Sequence, residues 1–183
     1  MSDRTGGLGP PIRSTQIHRG TIVNLRASDY RRPDGSIVHR EVMDHPGAVV
    51  MVPVEGDHVL LVRQPREAVQ EFTLELPAGK LDHVGEEPLD CARRELAEEV
   101  GRSAATWRDL GGFYTAPAIL TEFIHCFMAT ELSPVKGVAA DEDEAIEVIA
   151  WPLADLASAI DQVRDAKTLV GLLRLERELR AGA

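Results

Sequence analysis

Apolar residues recur along this chain with two different periods. Ala48–Val54 and Val59–Gln64 are nearly continuous apolar runs on either side of Glu55-Gly56-Asp57-His58, the pattern of strands buried on both faces and joined by a turn. Gly20–Ser28 and Ile37–Asp44 flank Arg32-Pro33-Asp34-Gly35, which predicts a β-hairpin. Phe72–Leu76 is a short strand-like run that opens into a glycine-punctuated loop ending at Glu86. The period then changes: Leu89, Ala92, Leu96 and Val100 recur at helical spacing and predict the core face of a helix. Pro88 suits its first turn, Glu86 and Glu87 sit at the positive end of its dipole, and Gly101 stops it. Trp107–Tyr114, Phe123–Ala129 and Ile146–Trp151 predict three more strands, and Leu153–Val163 and Lys167–Arg180 two amphipathic helices. Strands before and after a central helix, with helices at the end, predict an α/β/α sandwich around a mixed β-sheet over residues 46–183. An N-terminal β-hairpin extension covers 14–45, and the Gly/Pro-rich residues 1–13 are expected to be disordered.

A hydrophobic content of 44% in 183 residues supports a core of ordinary size. The 30 acidic residues exceed the 20 basic ones, a net charge of −10, which argues against binding nucleic acid or an anionic membrane through a general basic surface. Cys91 and Cys126 form no C-x-x-C pair and read as reduced thiols, with core packing the expected role of Cys91. The first residues lack the apolar stretch of a signal peptide, and no run of about 18 apolar residues occurs, so a cytoplasmic location is expected.

The chemistry concentrates on the central helix. Glu95, Glu98 and Glu99 lie three and four residues apart, which puts Glu95 roughly 5–6 Å in Cβ separation from each of the other two. At an effective dielectric of about 20, each ionised pair costs on the order of 3 kcal/mol. A hard divalent cation removes that cost, and an all-oxygen donor set points to Mg²⁺ or Mn²⁺. A solvated acidic face is the competing reading.

These residues and the loop before them resemble the Nudix box. Gly79, Glu86 and Arg94-Glu95-Leu96-Ala97-Glu98-Glu99-Val100-Gly101 supply it, with six residues between Gly79 and Glu86 where five are usual, and Arg102 in place of the last aliphatic residue. The extra residue falls around His83-Val84, where a longer loop costs little. The resemblance implies a Nudix-type fold. A narrower resemblance, from about Gly47 onward, is to bacterial ADP-ribose pyrophosphatases: Val62-Arg63-Gln64, Leu76-Pro77-Ala78-Gly79, Pro117 with Glu122, and Asp141–Val148. Those enzymes commonly carry Ser-Pro-Gly-Phe/Gly where this chain has Ala116-Pro117-Ala118-Ile119, a loop near the substrate.

The resemblance assigns roles residue by residue. Glu95, Glu99 and the backbone carbonyl of Ala78 would be metal ligands, Glu144 a further ligand, and Glu142 the catalytic base. Glu98 would either bind metal or orient the water, and Arg94 would steady the carboxylates with Glu86. Arg40 and Arg66 would contact the pyrophosphate or be surface charge, and Glu122 falls among the substrate-binding positions. Asp141, Asp143 and Glu147 read as solvated charge, and His45, His83 and His125 as structural. The implied activity is Mg²⁺-dependent hydrolysis of ADP-ribose to AMP and ribose 5-phosphate. The alternatives are another nucleoside diphosphate sugar, such as a GDP-sugar, or a dinucleotide as substrate, and a Nudix-like sensor that binds without cleaving. The hairpin is too small to bury its own faces, and in the resembling enzymes it packs across a twofold axis, so a homodimer is expected, with folding back onto its own chain the alternative.

Overall fold

A computed structural model of the chain describes residues 8–135 and 145–182. It divides into two compact units: Met1–Pro46 with Tyr114–Glu122, and Gly47–Phe113 with Phe123–Ala183.

The first unit is an antiparallel sheet of β1 (Arg13–Arg19), β2 (Asn24–Arg31) and β3 (Ile37–Asp44), in that order. β2 and β3 form the expected hairpin, in register from Arg31↔Ile37 to Asn24↔Asp44. Its turn is closed by Asp34, whose Oδ1 accepts from the Ser36 amide at 2.9 Å. β2 starts later than Gly20, because Gly20 N–H donates to the Val23 carbonyl and closes a turn. β1 was not expected from the pattern. All seven of its residues are exposed, so it has no apolar alternation to read. It is held instead by its pairing with β2 and by polar contacts such as Arg13 to Asp29 and Ser14 to Ser28.

The second unit is built on a mixed sheet. β4 (Ala48–Glu55), β5 (His58–Arg66), β8 (Arg102–Tyr114), β9 (Phe123–Pro134) and β10 (Glu147–Pro152) lie in the order β10-β5-β4-β9-β8, with β4 and β9 parallel. The two continuous apolar runs divide by the period of two. Val50, Val52, Val59 and Leu61 enter one core, which includes Leu172 and Leu175 of α3 (Ala166–Ala181) and Leu156 and Ala159 of α2 (Leu156–Gln162). Val49, Met51, Leu60 and Val62 enter the other, with Cys91, Ala92, Leu96 and Val100 of α1 (Pro88–Val100). Each such side chain, fully buried, contributes about 1.5–3 kcal/mol, so the two layers cover the sheet on both faces as the sandwich requires. α1 carries proline in its first turn and ends at Gly101, whose φ of +67° favours glycine.

β8 and β9 extend beyond their apolar segments. Ser103 meets Ser133 and Thr106 meets Glu131 in their polar halves, where side-chain hydrogen bonds replace burial. The segment expected as strand then loop, Phe72 to Glu86, pairs further than its composition suggests. β6 (Glu71–Glu75) pairs with β5, and β7 (Ala78–Lys80) with the start of β4, while the Met51 amide donates to the Pro77 carbonyl. β4 and β5 pair with each other only next to their turn, at Val54↔Val59 and Glu55↔His58, so the β6–β7 stretch runs between them where they part.

Candidate active site

α1 meets β7 at the point where β4 and β5 separate. The Ala78 amide donates to Glu99 Oε2 at 3.0 Å, fixing one carboxylate of the helix beside the β7 backbone. At the next residue, a Cβ on Gly79 would lie 2.1 Å from the Glu95 side chain, so only glycine lets that carboxylate approach. Cys91 Sγ donates to the Lys80 carbonyl at 3.3 Å and ties the first half of α1 to the same strand.

Arg94 organises the remaining charges. Its Nε and Nη2 donate to the two oxygens of Glu86 at 3.0 and 3.1 Å. Its Nη1 donates to Glu95 Oε1 at 2.7 Å and Glu98 Oε2 at 2.9 Å. This planar fork spans the loop and two turns of helix, a geometry lysine lacks. The hydrogen bond to Glu86 raises the Arg94 pKa above its already high value. The same bond holds the Glu86 carboxyl below the usual range. Glu86 and Glu95 are 14% and 15% exposed and Glu98 39%, so the cluster opens to solvent on the Glu98 side. Burial, reinforced by the charges of Glu86 and Glu95, pushes the Cys91 thiol up to about 12, which leaves it neutral and unreactive.

The NUDIX domain model matches residues 43–170 of the chain, well over half of its length. The chain belongs to the Nudix family. This Nudix hydrolase is 37% identical over 176 residues to an ADP-ribose pyrophosphatase of Bacillus subtilis, covering 93% of this chain and 95% of that protein. It is 40% identical over 151 residues to an ADP-ribose pyrophosphatase of Mycobacterium tuberculosis, covering 81% and 73%. A GDP-mannose pyrophosphatase of Cronobacter sakazakii is 35% identical over 162 residues, covering 81% and 84%. The fold is that of a solved ADP compounds hydrolase, with a TM-score of 0.84, 24% identity and 95% coverage of each chain.

Nudix hydrolases typically depend on a divalent metal, and the donor chemistry here fits one. The carboxylates of Glu95, Glu98 and Glu99 and the Ala78 carbonyl are hard oxygen donors, and the Gly79 cradle draws Glu95 against the strand that carries Ala78. Among the described residues no three carboxylate, imidazole or thiol side chains group closely enough to enclose a metal by themselves.

Other expected residues of the Nudix hydrolase make their contacts outside the Arg94 cluster. Arg66 donates through Nε and Nη2 to Glu75 at 2.7 Å each. Arg40, exposed on β3 of the first unit, donates to the carbonyl of its neighbour His39. Glu122, also of that unit, accepts from Thr115 Oγ1 at 2.6 Å and has His45 Nε2 at 3.5 Å. The Ala116–Ile119 loop is a turn in which the Ile119 amide donates to the Ala116 carbonyl. Glu142 and Glu144 lie outside the described residues. His83 lies 3.8 Å from Glu86, and His125 packs edge-on against Phe123. Four residues that the sequence pattern does not single out, Glu75, Asp165, Lys167 and Thr168, form a polar array in this unit, with Glu75 and Thr168 buried. The signals were a glutamate inside the run that ends at Pro77, and Asp165 three residues ahead of Thr168 at a helix start.

Proposed function

We propose that this Nudix pyrophosphohydrolase cleaves ADP-ribose to AMP and ribose 5-phosphate with Mg²⁺, Mn²⁺ being able to serve in its place. The similarity, over nearly the whole chain, to an ADP-ribose pyrophosphatase supports the substrate, and the Arg94-braced glutamates of α1 support the chemistry. Glu95, Glu99 and the Ala78 carbonyl are assigned to hold the metal, with Glu144 as a further ligand. When bound, the metal neutralises pyrophosphate oxygens and lowers the pKa of water. Arg94 holds Glu95 and Glu98 in place through hydrogen bonds from one nitrogen. Glu98 either joins the ligands or orients the attacking water, Glu142 accepts its proton, and Arg66 supports the pyrophosphate from the neighbouring strand. Arg40 and Glu122 are assigned to substrate binding, and residues 14–45 are read as a dimerisation segment. The location assigned is the cytoplasm, where Cys91 and Cys126 remain free buried thiols.

A GDP-linked sugar is the second reading, favoured by the altered Ala116–Ile119 turn and by the GDP-mannose pyrophosphatase among the relatives. Purified protein with Mg²⁺, incubated with ADP-ribose, dinucleotides, GDP- and UDP-sugars and nucleoside triphosphates and resolved by chromatography, tests both. Fastest conversion of ADP-ribose, abolished by chelator, supports the first. Preference for a GDP-sugar replaces it with the second, and binding without cleavage would make the protein a sensor.

A further inference from the structure

Glu75 has no part in the mechanism above, yet its carboxylate accepts four side-chain hydrogen bonds. It ends β6 with its side chain 2% exposed, a burial that a carboxylate tolerates only when donors surround it. Arg66 supplies two donors, Nε to Oε1 and Nη2 to Oε2, both at 2.7 Å. Thr73 Oγ1 adds a third at 2.6 Å, and Lys167 Nζ a fourth. Burial alone would raise the pKa of this carboxyl; the Arg66 hydrogen bonds and the Lys167 charge override it and hold the group down to about 2.

The array closes on itself. Lys167 also donates to Asp165 at 3.0 Å. Asp165 caps α3 by accepting from the Thr168 amide at 2.9 Å and the Thr168 hydroxyl at 2.6 Å. The Thr168 hydroxyl in turn accepts from the Leu76 amide at 2.8 Å. It thus starts on Glu75 and returns to the next residue of the chain, just ahead of Ala78.

Arg66 is the member most open to solvent, its side chain 44% exposed against 23% for Asp165 and 15% for Lys167. Its Nε–Nη2 edge is committed to Glu75, and among the described residues its Nη1 makes no hydrogen bond. The guanidinium lies close enough to Glu99 to feel that carboxylate's charge. Buried ion pairs are weak sources of net stability, so a second cation on Glu75 beside Lys167 calls for another use. A guanidinium held flat along one edge presents its other edge in a fixed plane, as phosphate recognition requires.

We propose that Glu75, braced by Lys167, is a positioning residue that fixes the Arg66 guanidinium so that its outer edge binds a pyrophosphate oxygen. The inference rests on reading the site as a pyrophosphate hydrolase, but its test reads binding. The probe is methylenediphosphonate, which is not hydrolysed, titrated with saturating Mg²⁺ into wild type, Arg66→Ala, Glu75→Gln and the double variant by calorimetry. Arg66→Ala should weaken binding about tenfold or more, the range expected for charge-assisted hydrogen bonds. Glu75→Gln should weaken it severalfold, and the double variant should bind like Arg66→Ala alone.

The same fold-loss from Glu75→Gln in both backgrounds would mark Glu75 as merely structural and overturn the proposal. So would unchanged affinity in Glu75→Gln, or Arg66→Ala binding as wild type does. Glu75→Asp, which keeps the charge facing Lys167 but draws it back by one methylene, is the second variant and should also weaken binding. The wild-type Arg66 Nε–H resonance, identified by its loss in Arg66→Ala, should exchange slowly with water; rapid exchange sinks the idea even if every Glu75 variant fails to fold. Turnover of the nucleotide panel is scored separately. Coupled binding without turnover defeats the proposed function alone, whereas turnover without coupling defeats this inference alone.

Discussion

Glu99 accepts a hydrogen bond from the Ala78 amide through one carboxylate oxygen, which a glutamine carbonyl can also accept. Glu99→Gln should therefore fold, with a melting temperature within about 4 °C of wild type, and lose turnover by orders of magnitude if Glu99 is the charged ligand proposed above. A mutant of unchanged rate would remove Glu99 from the metal set. Cys91 makes a second prediction. With its thiol raised to about 12 it should resist alkylation at pH 8 in the native protein and react once urea exposes it; rapid native labelling would contradict the buried contact with Lys80. At this scale the sequence was most informative where function depends on helical spacing. Glu95, Glu98 and Glu99 share a side of α1 by spacing alone, and Arg94 falls within their reach. Glu75 was not legible, because its partners Arg66 and Lys167 come from 9 and 92 residues away and no local period connects them.

Among elements, β6 and α3 are joined by that array, which makes the junction pH-sensitive. Glu75 has a folded pKa of about 2 against an ordinary 4.5. A depressed carboxyl contributes stability that is fully present above the unfolded value and lost as pH falls through the folded one, here on the order of 3 kcal/mol between about pH 4.5 and 2. Urea midpoints should fall more steeply across that window for wild type than for Glu75→Gln. Equal slopes would mean the carboxyl titrates normally. Asp165→Ala should cost about 1 kcal/mol or more, since it removes the cap of α3 and a partner of Lys167 together; a midpoint unchanged at neutral pH would refute the cap. The strands and helices of the second unit were legible because burial imposes a period: the run Ala48–Val54 contains both cores in alternation. β1 and β7 were not, since each is defined by backbone pairing with β2 or β4 and neither carries an apolar alternation of its own.

For the whole molecule, the N-terminal unit poses the remaining physical problem. Ser28 is the one buried residue in β1–β3, and Ile12, Ile17, Ile22 and Ile37 are each more than half exposed. A three-stranded sheet needs an apolar face packed against something to hold its register, and these strands have no core residue to supply one. A second copy of the chain is the partner we propose, since identical patches can meet across a twofold axis. Light scattering should then give a mass of about 40 kDa, twice the 20.0 kDa of one chain. Ile17→Asp with Ile37→Asp should shift the mass toward the monomer, because each new carboxylate must be desolvated to re-form the interface. The Nudix helix and its Arg94 brace lie wholly within the second unit, so the monomeric variant should keep its carboxylate cluster while substrate affinity reports whether residues 14–45 take part in binding. A single-chain mass at every concentration would rule out the second copy. A dimer unmoved by the aspartates would place its interface on another surface.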